Sequence, residues 1–107
     1  MKNFVEKIFK NKKFSIQKAL DYGFKQQGEI FQLIKSIDDN FEVCVCVAND
    51  IVETKVVEKD SQDPYILVFV EDAQGEFVGK LKEKCMKTFQ NICDNCFESE
   101  VFKNKNA

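Results

Sequence analysis

Phe41-Glu42-Val43-Cys44-Val45-Cys46-Val47-Ala48-Asn49-Asp50 is the stretch whose reading decides the fold. Phe41, Val43, Val45 and Val47 alternate with Glu42, Cys44, Cys46 and Ala48. Successive side chains of a strand point to opposite faces, so this period of two predicts a strand over 41–48 with one bulky apolar face. Asn49-Asp50 then fits a two-residue hairpin, where positive φ is best tolerated by such residues, and a further strand is expected over 51–57. Upstream, Phe31, Leu33, Lys35 and Ile37 alternate with Ile30, Gln32, Ile34 and Ser36, a strand over 29–37. Asp38-Asp39-Asn40 between the two reads as a turn by composition. Downstream, a polar loop over 59–64 leads to Tyr65–Val70, which has no polar interruption and reads as a fourth strand.

Helical patterns flank this meander. Phe4, Val5, Ile8 and Phe9 recur at helical spacing and predict a short helix over 3–11. Ser15 is a suitable N-cap for a second over 16–22, with Phe14 and Ala19 placed for a hydrophobic staple. Gly23 offers a left-handed stop. After Gly75, Phe77, Leu81, Cys85, Phe89, Ile92 and Cys96 form an apolar stripe on a long helix over about 77–97, with Lys80, Lys82, Glu83, Lys84 and Lys87 on its wet side. The expected architecture is α+β: two short N-terminal helices, a four-stranded antiparallel meander sheet, and a long C-terminal helix packed on the sheet. Residues 3–97 are expected to form one domain, with 98–107 as a C-terminal tether of the kind that joins domains.

The strands carry apolar or small residues on both faces. An antiparallel sheet with one wet face normally alternates more cleanly. If the valines of 41–48 meet the helices, Cys44 and Cys46 lie opposite, on a face covered either by the N-terminal helices or by something outside this chain. Cys44 and Cys46 are therefore the candidate interface residues.

Composition narrows the function. The chain has 107 residues, 16 basic and 18 acidic, for a net charge of −2. That balance argues against a dedicated nucleic-acid binder, whose surface is strongly basic. No apolar run is long enough to span a membrane, and the charged start, Met1 to Lys7, does not hold a signal-peptide core. A cytoplasmic protein is expected, its five cysteines reduced. With no histidine, the commonest general base is missing, together with every Ser-His or Cys-His nucleophile pair. No enzymatic activity, cofactor or metal is expected.

The motifs that could carry chemistry each have a plainer reading. Cys93-x-x-Cys96 suggests redox or metal work, but it closes a helix, where the dipole disfavours a thiolate. Zinc would need four ligands, and Cys44 and Cys46 point away from the helix that bears the other pair. Gly75-Glu76-Phe77-Val78-Gly79-Lys80 is one residue short of a phosphate loop and has Leu81 where Ser or Thr would be needed. Gly79 and Lys80 remain a candidate anion site at a helix start. Asp38, Asp39, Asp50, Glu71, Asp72 and Glu76 sit at turns, where local hydrogen bonding favours them. Lys7, Lys10, Lys12 and Lys13 could contact nucleic-acid phosphates, though a solvated face accounts for them as well.

Phe14 with Leu20-Asp21-Tyr22-Gly23-Phe24-Lys25 and Gly28, then Gly75 with Phe77-Val78-Gly79-Lys80, then Asn95-Cys96-Phe97-Glu98 with Val101-Phe102-Lys103, resemble the N-terminal domain of bacterial MmcQ/YjbR-like proteins. The resemblance covers residues 4–104. It implies a curved antiparallel sheet flanked by helices, and a tether leading into the YjbR domain proper. That second domain carries His and Trp in its signature; this chain has neither, so the DNA binding suggested for it does not transfer here. Within the resemblance Cys96 recurs and Cys93 does not. The function expected is a non-enzymatic binding or accessory module that packs against a companion YjbR-type domain or a second copy of itself. The alternatives are nucleic-acid binding through the Lys-rich helix, and a thiol-redox or metal role for Cys93 and Cys96.

Overall fold

The computed structural model describes residues 7–10, 12–49, 51–70 and 75–104. The chain runs β1 (Lys12–Phe14), α1 (Ile16–Tyr22), β2 (Lys25–Gln27), β3 (Ile30–Ser36), β4 (Phe41–Ala48), β5 (Ile51–Glu58), a 3-10 turn (Ile66–Phe69), α2 (Glu76–Glu98) and β6 (Phe102–Asn104). Strands β2-β3-β4-β5 form an antiparallel sheet in that order, and β1 and β6 form a separate ribbon. The α+β class and the four-stranded meander agree with the sequence. Residues 7–9 are helical, as expected within 3–11, the rest of which lies mostly outside the described residues.

The hairpins follow local chemistry. Gly28, at φ 64, turns β2 into β3, the positive φ that glycine adopts without strain. Asn49, at φ 52, opens the turn between β4 and β5, whose register pairs Ala48 with Ile51. Between β3 and β4, Asp38 organises the turn. Its Oδ1 accepts the N–H of Asn40 at 2.8 Å and of Phe41 at 3.0 Å, and its Oδ2 lies 3.3 Å from Lys84 Nζ on α2. Phe31, Leu33, Phe41, Val43, Val45, Val47 and Val56 share one face of the sheet. They join Leu81, Cys85, Phe89, Ile92, Cys93 and Cys96 of α2 in a single core.

The fourth strand expected over 65–70 is a correction. Pro64 bridges Val57, and Tyr65 donates its N–H to Val56 O at 2.8 Å, but the chain then leaves the edge as a 3-10 turn. Val68 is buried and Tyr65 and Phe69 pack against the core, while Ile66, Leu67 and Val70 are exposed. Core positions 65, 68 and 69 are spaced as in a helical turn, not a strand. Short apolar runs do not distinguish the two by periodicity. The sheet's remaining member is β2, paired through Lys25–Gln32 and Gln27–Ile30.

The tether expected over 98–107 is the second correction: it belongs to the fold through Asn104. Glu100, at φ 62, is left-handed; its N–H bonds Phe97 O at 3.1 Å, and that of Val101 bonds Cys96 O at 2.8 Å. This is a Schellman reversal with glutamate in the position glycine usually takes. It turns the chain back so that Val101 accepts the N–H of Ser15 at 2.8 Å and Phe102 pairs with Phe14. Val101 and Phe102 are both core residues, and Phe102 meets the rings of Phe9 and Phe14 at 5.6 and 5.5 Å.

Smaller differences concern caps and the helical stripe. Ser15 has the extended backbone of an N-cap but makes no side-chain cap bond, its own N–H being tied to Val101. At the start of α2 the inward residue is Val78, while Phe77 is exposed and touches Phe41 and Tyr65 at 5.9 and 6.1 Å.

Candidate functional site

Residues directly opposite one another on paired strands share a face. The register therefore places Ile34, Cys44 and Lys55 in one row across β3, β4 and β5, and Gln32, Cys46 and Glu53 in the next. Ala48 and Ile51 follow. This face is opposite the core, and Cys44, although 2% exposed, stands outside the core cluster. Ile30, Ile34 and Ile51 are 49%, 48% and 65% exposed. Among the described residues no helix covers this side. The sequence raised cover by helices or by something outside the chain, and the described helical residues turn to the valine side: α2, Ala19 of α1 and Phe9 all belong to the core cluster.

The thiols here are in contact. Cys44 Sγ lies 3.4 Å from Cys46 Sγ, and Gln32 Nε2 donates to Cys44 Sγ at 2.9 Å. Burial is the main force pushing the Cys46 thiol up to about 11, assisted by the hydrogen bond and charge of Cys44, with Lys55 pulling the other way.

The thiols of α2 are differently placed. Burial, first, pushes Cys85 and Cys96 up to about 12 and raises Cys93. Cys93 Sγ lies 3.7 Å from Ile8 O. A thiol is nucleophilic as thiolate, so burial lowers the reactivity of the Cys93-x-x-Cys96 pair. All five cysteines are free, and among the described residues no group of three or more His, Cys, Asp or Glu could hold a metal ion.

The expected anion site is not assembled. Gly79 lies inside α2, with its N–H bonded to Gly75 O at 2.9 Å. Lys80 Nζ is 3.0 Å from Glu76 Oε1, and Glu76 occupies the first helical turn, where an anion would sit. Of the lysines expected to contact nucleic acid, Lys12 and Lys13 alternate along β1 and so lie on opposite faces of the ribbon. Lys7, Lys10 and Lys13 are exposed. Lys12 bonds Asn104 Oδ1 at 2.8 Å and lies 4.4 Å from the Phe97 ring centroid. Glu100, 3.9 Å from both Lys18 and Lys103, sets a carboxylate beside the ribbon, where Lys13 pairs with Lys103.

Two shallow clefts are found among the described residues. One, of about 280 Å³, is bounded by Phe14, Ile16, Gln26, Phe31 and Val47. The other, of about 310 Å³, lies between Phe41, Glu58 and Phe77. Both are at the small end of ligand sites. Sequence reasoning found Cys44 and Cys46 but missed the isoleucines around them; the even-numbered alternation of 30, 32 and 34 was the signal. No helix among the described residues is long and apolar enough to cross a membrane. No family model, curated protein or solved structure matches the chain.

Proposed function

We propose that this domain is a non-enzymatic binding module that docks through the sheet face bearing Cys44 and Cys46. The observation that carries the reading is the exposure of Ile30, Ile34 and Ile51 around half-buried Cys46 and Ala48. Apolar side chains clustered on a regular surface gain by leaving water together. The occupant that fits best is a second copy. Glu53 and Lys55 are neighbours on the same face of β5, so a two-fold axis can set each against its opposite in the partner, as an isologous interface requires. Strand spacing and rise make the face roughly 400 Å² per copy, or about 800 Å² in all, below the ~1,200–2,000 Å² of stable complexes. The association is weak and reversible. A companion YjbR-type domain, which the sequence resemblance implies, would dock by the same chemistry within a cytoplasmic protein.

Light scattering and sedimentation over a range of loading concentrations test this. The mean mass should rise with concentration in the parent chain and stay monomeric in Ile34→Asp. A monomer at every concentration, with no binding of an apolar dye, would refute a docking face. Nucleic-acid binding ranks lower, because Lys12 is engaged within the ribbon and Glu100 lies beside it.

A further inference from the structure

Cys44 and Cys46 raise a question that docking does not answer: what chemistry two thiols in contact on an open sheet face can do. Their sulfurs are 3.4 Å apart. Same-face neighbours on a strand have Cα atoms about 6.6 Å apart and near-parallel Cα–Cβ bonds, the outer limit of disulfide geometry, which needs Cβ atoms to converge to about 3.8 Å. The regular pairing of β4 with both neighbours across these positions resists that convergence. A direct disulfide is therefore disfavoured, whereas one atom inserted between the sulfurs requires no bending of the strand.

The distance also selects the atom. With bonds of about 2.3 Å from each thiolate sulfur, a 3.4 Å separation subtends about 95° at the bridging centre. That is the angle of a pyramidal centre carrying a lone pair. A linear two-coordinate cation would need the sulfurs more than an ångström further apart, and a tetrahedral ion would need further ligands that the described residues do not bring together. We propose that Cys44 and Cys46 form a dithiol site for a single trivalent, pyramidal, thiophilic centre of the arsenite class.

The surroundings suit this chemistry. Cys46 is half-buried and the more accessible of the two sulfurs from the open face, and Cys44, in contact with it, closes the ring. Gln32, whose amide donates to Cys44 Sγ at 2.9 Å, holds that sulfur beside Cys46. Lys55 stands directly across from Cys44. With phenylarsine oxide, two S–H and one As=O bond are replaced by two As–S bonds. Both thiol protons leave with the arsenic-bound oxygen as one water, and arsenic stays trivalent, so no oxidant or reductant is needed.

The test is intact-mass spectrometry of the folded chain after treatment with phenylarsine oxide in the presence of excess monothiol. One phenylarsenic adduct per chain is expected. It should be lost in Cys44→Ser and in Cys46→Ser, retained in Cys93→Ser, and reversed by a small dithiol. As a measurement that needs no variant, the arsenical should protect the Cys46-containing peptide of the parent chain from maleimide labelling. Absence of an adduct, an adduct that survives loss of Cys46, or one that maps to Cys93 and Cys96 would overturn the proposal.

Discussion

Phe102→Ala asks whether the closing segment is part of the fold. Phe102 is 1% exposed, belongs to the core and meets Phe9 and Phe14 at 5.6 and 5.5 Å. Truncating a buried phenylalanine costs about 3–5 kcal/mol through lost burial and the cavity left behind. The aromatic pairs are part of that loss, at roughly 0.5–1.5 kcal/mol each. A domain of this size has about 5–15 kcal/mol in total, so the substitution removes roughly a fifth of it or more. With an unfolding entropy of about 2 cal/mol/K per residue, the melting temperature should fall by roughly 13–22 °C. Urea unfolding followed by circular dichroism measures the change, with Lys103→Ala, an exposed neighbour on the same strand, as the control. If both variants unfold within about 1 kcal/mol of the parent, residues 101–104 are a tether after all, and the reasoning from burial fails.

The remaining predictions probe the sheet, the turn, the helix end and the thiols. Ile51→Asp should leave the unfolding midpoint within about 0.5 kcal/mol of the parent while abolishing self-association, because its side chain is 65% exposed; a large loss of stability would mean that this face is covered within the chain. Asp38→Ala should cost about 1–2 kcal/mol by orphaning the Asn40 and Phe41 N–H groups. Asp38→Asn, which can keep those acceptors and loses only the ion pair to Lys84, should cost less than about 1 kcal/mol. Glu100→Gly should stabilise by about 0.5–1 kcal/mol, since glycine takes the left-handed position without strain, whereas Glu100→Val should destabilise. For Cys85 and Cys96, burial raises the folded value to about 12, above the unfolded thiol range near 8.5. The folded state holds these protons longer. Their stabilising contribution is complete below pH 8.5 and is lost as pH rises toward 12, with a slope of roughly 1 kcal/mol per pH unit for each thiol. Unfolding titrations from pH 7 to 11 that show no decline would contradict that burial.

Where local rules suffice, the sequence determined this protein's structure. Strict alternation over Phe41–Ala48 requires a strand with a valine face, Asn49 tolerates the positive φ of the hairpin, and Leu81, Cys85, Phe89, Ile92 and Cys96 at helical spacing require a buried helix stripe. The dithiol pair was legible to the same degree, because same-face residues on a strand can be counted without coordinates. Only the tertiary structure decided the rest. Tyr65–Val70 carries no polar residue to set a period, so packing of positions 65, 68 and 69 on the core selected a 3-10 turn. The reversal at Glu100 lacked the glycine that marks such motifs, and the pairing of β1 with β6 joins residues 12–14 to 102–104, too far apart for any local signal. The openness of the cysteine face depends on where the helices dock, a property of packing between elements that no single segment encodes.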